Sequence, residues 1–146
     1  MIWKLLVAWC LMSACIAIHA AGVAAALRWC QRQTPRAYVG WTVLFAVLAG
    51  WIVLLHLLEI SIWALYYYWR GAIGDVQGAF YFSVVTYTTT GYGDVVLPEV
   101  WRLVGGVEAL TGILMCGWST GFFFAVVSRA YRPKREGQQH DESRHR

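Results

Sequence analysis

Three long apolar blocks decide what this chain can fold into: roughly Leu5 to Leu27, Trp41 to Tyr68 and Trp101 to Val127. Each reaches the ~20 residues that the hydrocarbon core of a bilayer demands of a helix. Lipid offers no water to backbone N–H and C=O groups, so each block must satisfy them internally as a helix. The composition agrees, with 59% hydrophobic and 14% charged residues, which excludes an ordinary water-soluble domain. A fourth block, Ala79 to Tyr87, is too short to span. It lies between the second and third spans, where it can dip into the membrane and return if other protein covers its backbone.

The first block follows Lys4, contains small residues around Ala20 and Ala21, and includes "LMSAC" ending at Cys15, features shared with secretory and lipoprotein signals. Its apolar run nevertheless continues through Ala26 without a polar break and ends in "RWCQRQTPR", so a retained helix is expected. Arg28, Arg32 and Arg36 lie between the first two spans, and Arg129, Arg132, Lys134 and Arg135 follow the third. Basic flanks face the cytoplasm. The chain therefore divides into an N-terminal transmembrane helix (1–28), a cytoplasmic loop (29–40), a second span (41–69), an extracytoplasmic connector (70–100), a third span (101–128) and a cytoplasmic basic tail (129–146). Three spans leave the N-terminus outside, in a multi-pass protein of the plasma or inner membrane. Tyr38 and Trp41 mark the inner interface, and Trp63 and Tyr66 to Trp69 the outer one. The step from Trp41 to Trp63 corresponds to about 33 Å of helix.

These two flanks account for most of the net charge of +4, so no nucleic-acid partner is expected. Cys10, Cys15, Cys30 and Cys116 form no CxxC pair, and none falls in the outer connector, so no disulfide is expected. The tail from Arg132 to Arg146, charged and polar, reads as unstructured. His140 and His145 lie in it, His19 and His56 stand isolated, and no Ser-His-Asp or HExxH spacing occurs. An enzyme is not expected, nor a cofactor or a small-molecule substrate.

The stretch "VTYTTTGYGD", Val85 to Asp94, concentrates small and polar residues in the connector. An ion crossing a membrane needs its hydration water replaced by oxygens at fixed spacing, and backbone carbonyls can supply them. A strand with successive carbonyls on one side requires positive φ, which Gly91 and Gly93 reach without steric penalty. The hydroxyl of Thr89 adds an oxygen below, and Tyr92 points away to brace the strand. "DVQGAFYFSVVTYT" before it offers Asp75 as a helix N-cap, followed by about three turns.

"TTTGYGD" resembles the TVGYG selectivity-filter signature of potassium channels. The resemblance runs from about Trp41 to Val127 and is to the pore module of two-helix, pore-loop channels; it leaves out the first helix and the tail. It implies an all-α membrane protein with three transmembrane helices, a re-entrant pore helix and a filter loop, in the tetrameric potassium-channel pore architecture. K+ would be held by the carbonyls of Thr89, Thr90, Gly91 and Tyr92, with Gly93 ending the strand and Asp94 at the outer mouth. Thr90 departs from the family's Val, Ile or Leu, and its hydroxyl can seek a partner behind the filter. A weakly selective or nonselective cation channel is therefore the alternative, and a structural membrane subunit without conduction a distant one. Tyr81 and Phe82 fall where the family has an aromatic cuff, and Val85 replaces a glutamate that pairs with the filter aspartate in some members. Gly112 falls at a hinge position of the inner helix, with Ile113, Cys116, Thr120 and Phe124 toward the cavity and Phe124 a candidate constriction; the other reading is that these four pack against neighbouring helices. One filter strand per chain implies a homotetramer in membrane lipid. No span carries arginines at every third position, the pattern of a voltage sensor.

His56, Glu59 and Glu108 lie within spans and must face protein or water. From the aromatic belt, Glu59 and Glu108 sit at depths of about 6 and 10 Å, near the height of the filter. Coupling of pH to the filter is one expectation and a static hydrogen bond the other, with an i,i+3 pairing of His56 and Glu59. The first helix, without charged residues between Leu5 and Leu27, is expected at the periphery, against lipid and the second span.

Overall fold

The computed structural model describes residues 2–33 and 38–144, with side chains for 2–33 and 39–129. Arg36 lies outside the described residues, as do the side chains of Tyr38, Arg132, Lys134, Arg135, His140 and His145. Four helices carry the fold: α1 (Ile2–Gln31), α2 (Tyr38–Trp69), α3 (Val76–Tyr87) and α4 (Arg102–Arg144), the last preceded by a 3-10 turn at Glu99–Trp101. Among the described residues there is no β-sheet, and the stretch after α3 is a single extended strand without a ladder partner. Segments Ile2–Gln31, Val39–Trp69 and Glu99–Arg129 are long and apolar enough to cross a bilayer. The protein is an all-α, multi-pass membrane protein.

α3 is the short block of the sequence, wedged between α2 and α4. A helix ending inside a membrane must cap its free backbone groups. Asp75 does so at the N-terminus, its carboxylate accepting from the Gly78 amide at 2.6 Å.

α1 corrects the sequence expectation. It packs against α4 as well as α2. Ala8, Cys15 and Gly22 recur at heptad spacing on its buried face, and small residues let helix backbones approach closely in lipid. Trp51 Nε1 on α2 donates to the Gly22 carbonyl at 3.0 Å. At one end, Lys4 donates to the Val100 carbonyl and lies over the Trp101 ring. At the other, Arg129 reaches the Cys30 carbonyl at 2.8 Å. The start of α1 thus shares a side with the connector, and its end shares the other side with the end of the apolar part of α4.

Two apolar clusters fill the bundle. One, on the connector side, gathers Ala8, Cys15, Trp63, Tyr67, Phe82, Tyr87 and Met115. The other joins Val23, Leu48, Leu55, Phe122 and Val126. All four cysteines are unpaired. A second correction concerns the tail: α4 continues to Arg144, well past the end of the apolar sequence. Lipid length limits the apolar run, whereas Arg, Lys, Glu and Gln beyond it are good helix formers.

Candidate functional site

The chain leaving α3 is anchored to the last turn of the helix it leaves. The Thr88 amide and hydroxyl both donate to the Val84 carbonyl. Thr89 N–H donates to Thr86, and Gly91 N–H to Val85 at 3.0 Å. The carbonyls that a helix C-terminus leaves free are thereby used to fix the following strand.

That strand alternates in hand. Thr89, Gly91 and Gly93 have φ of 58°, 51° and 80°, while Thr90 and Tyr92 keep negative φ. Alternation of this kind turns successive N–H groups to one side and successive carbonyls to the other. The two glycines adopt the left-handed region freely, as the sequence predicts. Thr89 does not: a β-branched residue there is an outlier, of the sort that surrounding structure must impose and that clusters at functional sites. Thr89, Thr90, Gly91, Tyr92 and Gly93 are all exposed, so one edge of the strand is open.

The Thr90 hydroxyl meets that of Thr88 at 3.0 Å. Its partner is thus a near neighbour in the chain, exposed as Thr90 itself is. At the far end, the Tyr81 hydroxyl donates to Asp94 at 2.6 Å, which ties the mouth of the loop back to α3. The bond holds the Asp94 carboxyl below the usual carboxylate range and pushes the Tyr81 phenol up. Phe82, expected in the same cuff, turns inward and packs edge-on against Tyr67 of α2.

α4 presents two faces. Val104, Glu108, Thr111, Gly112, Met115, Ser119, Phe122 and Val126 are buried against the other helices. Ile113, Cys116, Thr120 and Phe124 form an exposed stripe on the other side, with Phe124 74% exposed. Gly112 is not free space for bending: a Cβ there would strike the Tyr87 carbonyl at the end of α3. Gly117 and Gly121 have nothing near them among the described residues.

The intramembrane ionisable residues separate into two groups. Glu108 is fully buried, and its carboxylate faces the hydroxyls of Tyr67 and Ser83. None of these three groups has a hydrogen bond of normal geometry among the described residues. Glu59, also fully buried, accepts from the Tyr87 hydroxyl and meets His19 Nδ1 at 2.9 Å. The expected i,i+3 approach of His56 to Glu59 is present at ion-pair distance, 3.9 Å, while the hydrogen bonds of His56 go to Tyr87 and Ser119. Packing also ends the isolation of His19 and His56, whose ring centroids are 5.2 Å apart.

His19, Tyr87 and Ser119 are the residues that sequence reasoning misses. For His19 the signal is present, since a histidine inside a span is as costly in lipid as the three ionisable residues noted above. Neither the tyrosine nor the serine carries such a mark.

A family described as "Ion channel" matches residues 41–129 through its sequence model. Potassium voltage-gated channel protein Shal of Drosophila melanogaster is 39% identical over 59 residues, which cover 39% of this chain and 10% of that protein. The chain thus spans about a tenth of the length of this curated relative. No solved structure matches it significantly.

Proposed function

The chain belongs to the ion-channel family, and we propose that within it this protein forms a potassium-selective pore, passive and downhill, as a homotetramer. The observation that carries the reading is the alternation of φ through Thr89, Gly91 and Gly93 on a strand fixed to a capped helix. Carbonyls of Thr89, Thr90, Gly91 and Tyr92 would replace the hydration shell of the ion, with the Thr89 hydroxyl below them. A single strand offers ligands from one side only. Four copies around an axis would close the ring with the symmetry common to such assemblies, and would give the exposed stripe of Ile113, Cys116, Thr120 and Phe124 a water-filled cavity to line.

α3 would aim the negative end of its dipole toward that cavity, where a cation pauses. Tyr81 and Asp94 would hold the outer mouth, with the connector outside and the C-terminal end of α4 in the cytoplasm, by the charge of the flanks. The 39% identity to a protein named as a potassium channel favours the ion. The hydroxyl contact between Thr88 and Thr90 favours a second reading, a weakly selective monovalent cation channel, because it couples the strand to a polar partner.

Purified protein in liposomes, loaded for potassium-driven flux and compared with sodium, tests the proposal. Gly91→Ala forces a Cβ into the left-handed region at a cost of about 1–2 kcal/mol. Strong potassium preference that the variant loses supports the filter. Equal sodium flux in the parent selects the second reading, and an unaltered Gly91→Ala channel contradicts the assignment of the strand.

A further inference from the structure

Five side chains, contributed by all four helices, close into one hydrogen-bonded ring inside the bundle. Tyr87 on α3 donates its hydroxyl proton to Glu59 on α2, and this fixes the other links, because a hydroxyl has one proton to give. The Tyr87 oxygen must accept from His56 Nδ1, 3.1 Å away. A neutral His56 then has a bare Nε2, which accepts from Ser119 Oγ on α4 at 3.2 Å. Ser119, its proton used, accepts from His19 Nε2 on α1 at 3.2 Å. The last link is His19 Nδ1 to Glu59 Oε1 at 2.9 Å. With His19 already protonated on Nε2, that link needs one further proton, on either the imidazole or the carboxyl.

We infer that this ring binds a single proton, shared between His19 and Glu59, and that its occupancy sets the position of Tyr87 and thereby of the strand from Thr89 to Gly93. With that proton every donor in the ring has an acceptor and the net charge is zero. Without it, either His19 Nε2 or Nδ1 loses its proton, and a carboxylate of zero exposure is left uncompensated. With one more, on His56, two N–H groups converge on Ser119 and the hydroxyl proton has no acceptor. Either error is costly in a low-dielectric interior. The ring lies between the two apolar clusters, and its most open member is His56, at 18% side-chain exposure.

Other groups face the ring without supplying a charge to replace the proton. Cys15 on α1 and Cys116 on α4 face Glu59, and thiols are ordinarily neutral at physiological pH. Glu108 on α4 faces Cys15 from beyond the ring, and Trp118 on α4 stacks near His19. The ligand atoms of His19, His56 and Glu59 also lie within 4.8 Å of one another, close enough to chelate a cation. Their hydrogen bonds already occupy them, and this favours the proton.

The link to the strand is short. Tyr87 is the last residue of α3, its carbonyl lies against Gly112, and Thr88 and Thr89 follow directly. The effect on conduction rests on the potassium-pore reading; the proton count does not.

Two measurements test the inference on the full-length protein in bilayers. In 15N spectra of histidine-labelled protein at neutral pH, His19 should carry a proton on Nε2 and His56 on Nδ1 alone; a bare His19 Nε2, or a doubly protonated His56, overturns the ring. Potassium flux should fall on both sides of a pH plateau by at least about fivefold, the lower end of usual coupling between sites, and Tyr87→Phe should flatten both limbs to within about twofold. Ser119→Ala, which breaks the relay without touching α3, should flatten them as well. Limbs unchanged in both variants overturn the coupling. A parent that conducts no potassium at any pH defeats the pore reading instead, and the spectra still decide the ring.

Discussion

Gly112→Ala separates two roles for a glycine in the middle of α4. If the residue serves as a hinge, alanine stiffens the helix and leaves the closed arrangement intact. The structure gives a different reason for glycine. An added Cβ would lie 2.8 Å from the Tyr87 carbonyl carbon, against about 3.5 Å for carbon atoms at rest. The end of α3 must then retreat by at least about 0.7 Å, more than the ~0.5 Å within which a working site has to be held. Overpacking of this kind costs about 1–3 kcal/mol, or ~5–150-fold in the population that keeps its native arrangement. Gly50→Ala is the control, because that glycine is exposed on α2 with nothing within 4 Å. Melting temperature and potassium flux per reconstituted subunit should both fall in Gly112→Ala and hold in Gly50→Ala. Parent-like melting and flux in Gly112→Ala would refute the packing argument, and equal damage in Gly50→Ala would show that the loss is not specific to the α3 contact.

Tyr81→Phe removes the bond that depresses the Asp94 pKa, so the carboxyl should titrate at higher pH, toward the ordinary value of about 3.9. Because a depressed carboxylate contributes above its unfolded pKa and is lost only as pH falls through the folded one, the parent's outer mouth should withstand more acid than the variant's; identical acid limbs of flux, with only outside pH varied, would contradict this. Thr90→Val removes the hydroxyl contact with Thr88 but keeps the carbonyl, so potassium flux should persist with sodium permeation no higher than in the parent. A rise in sodium flux would mean that the hydroxyl takes part in selection. Glu108→Gln replaces a buried carboxyl that faces the Tyr67 and Ser83 hydroxyls by a neutral amide of the same shape, and stability should change by no more than about 1.5 kcal/mol, the net worth of one hydrogen bond; a larger loss of melting temperature would assign the carboxyl a role the amide cannot fill.

The spans, the short block and the Asp75 cap are legible in the sequence because lipid leaves few solutions for an apolar run, and a capping residue acts within its own turn. The glycines of GYG are legible for the same local reason. Thr89 is not, since nothing about a threonine announces a left-handed backbone; the bonds from Gly91 and Thr89 back to α3 accompany it. His19 is visible as a histidine inside a span, but its meaning depends on three other helices. Gly112 is visible as a glycine, but only packing against Tyr87 distinguishes a close approach from a hinge. The reach of α4 to Arg144 is missed because polarity reports where lipid ends, not where a helix does.

The most direct test of the proposed pore is the reversal potential of the parent protein in a planar bilayer, with potassium on one side and sodium at equal concentration on the other. A carbonyl filter built on Thr89, Thr90, Gly91 and Tyr92 predicts a large displacement of the sign that a potassium-selective pore gives. A potential near zero, with current flowing, would contradict potassium selectivity and leave a cation pore in which the Thr90 hydroxyl has changed what the strand accepts.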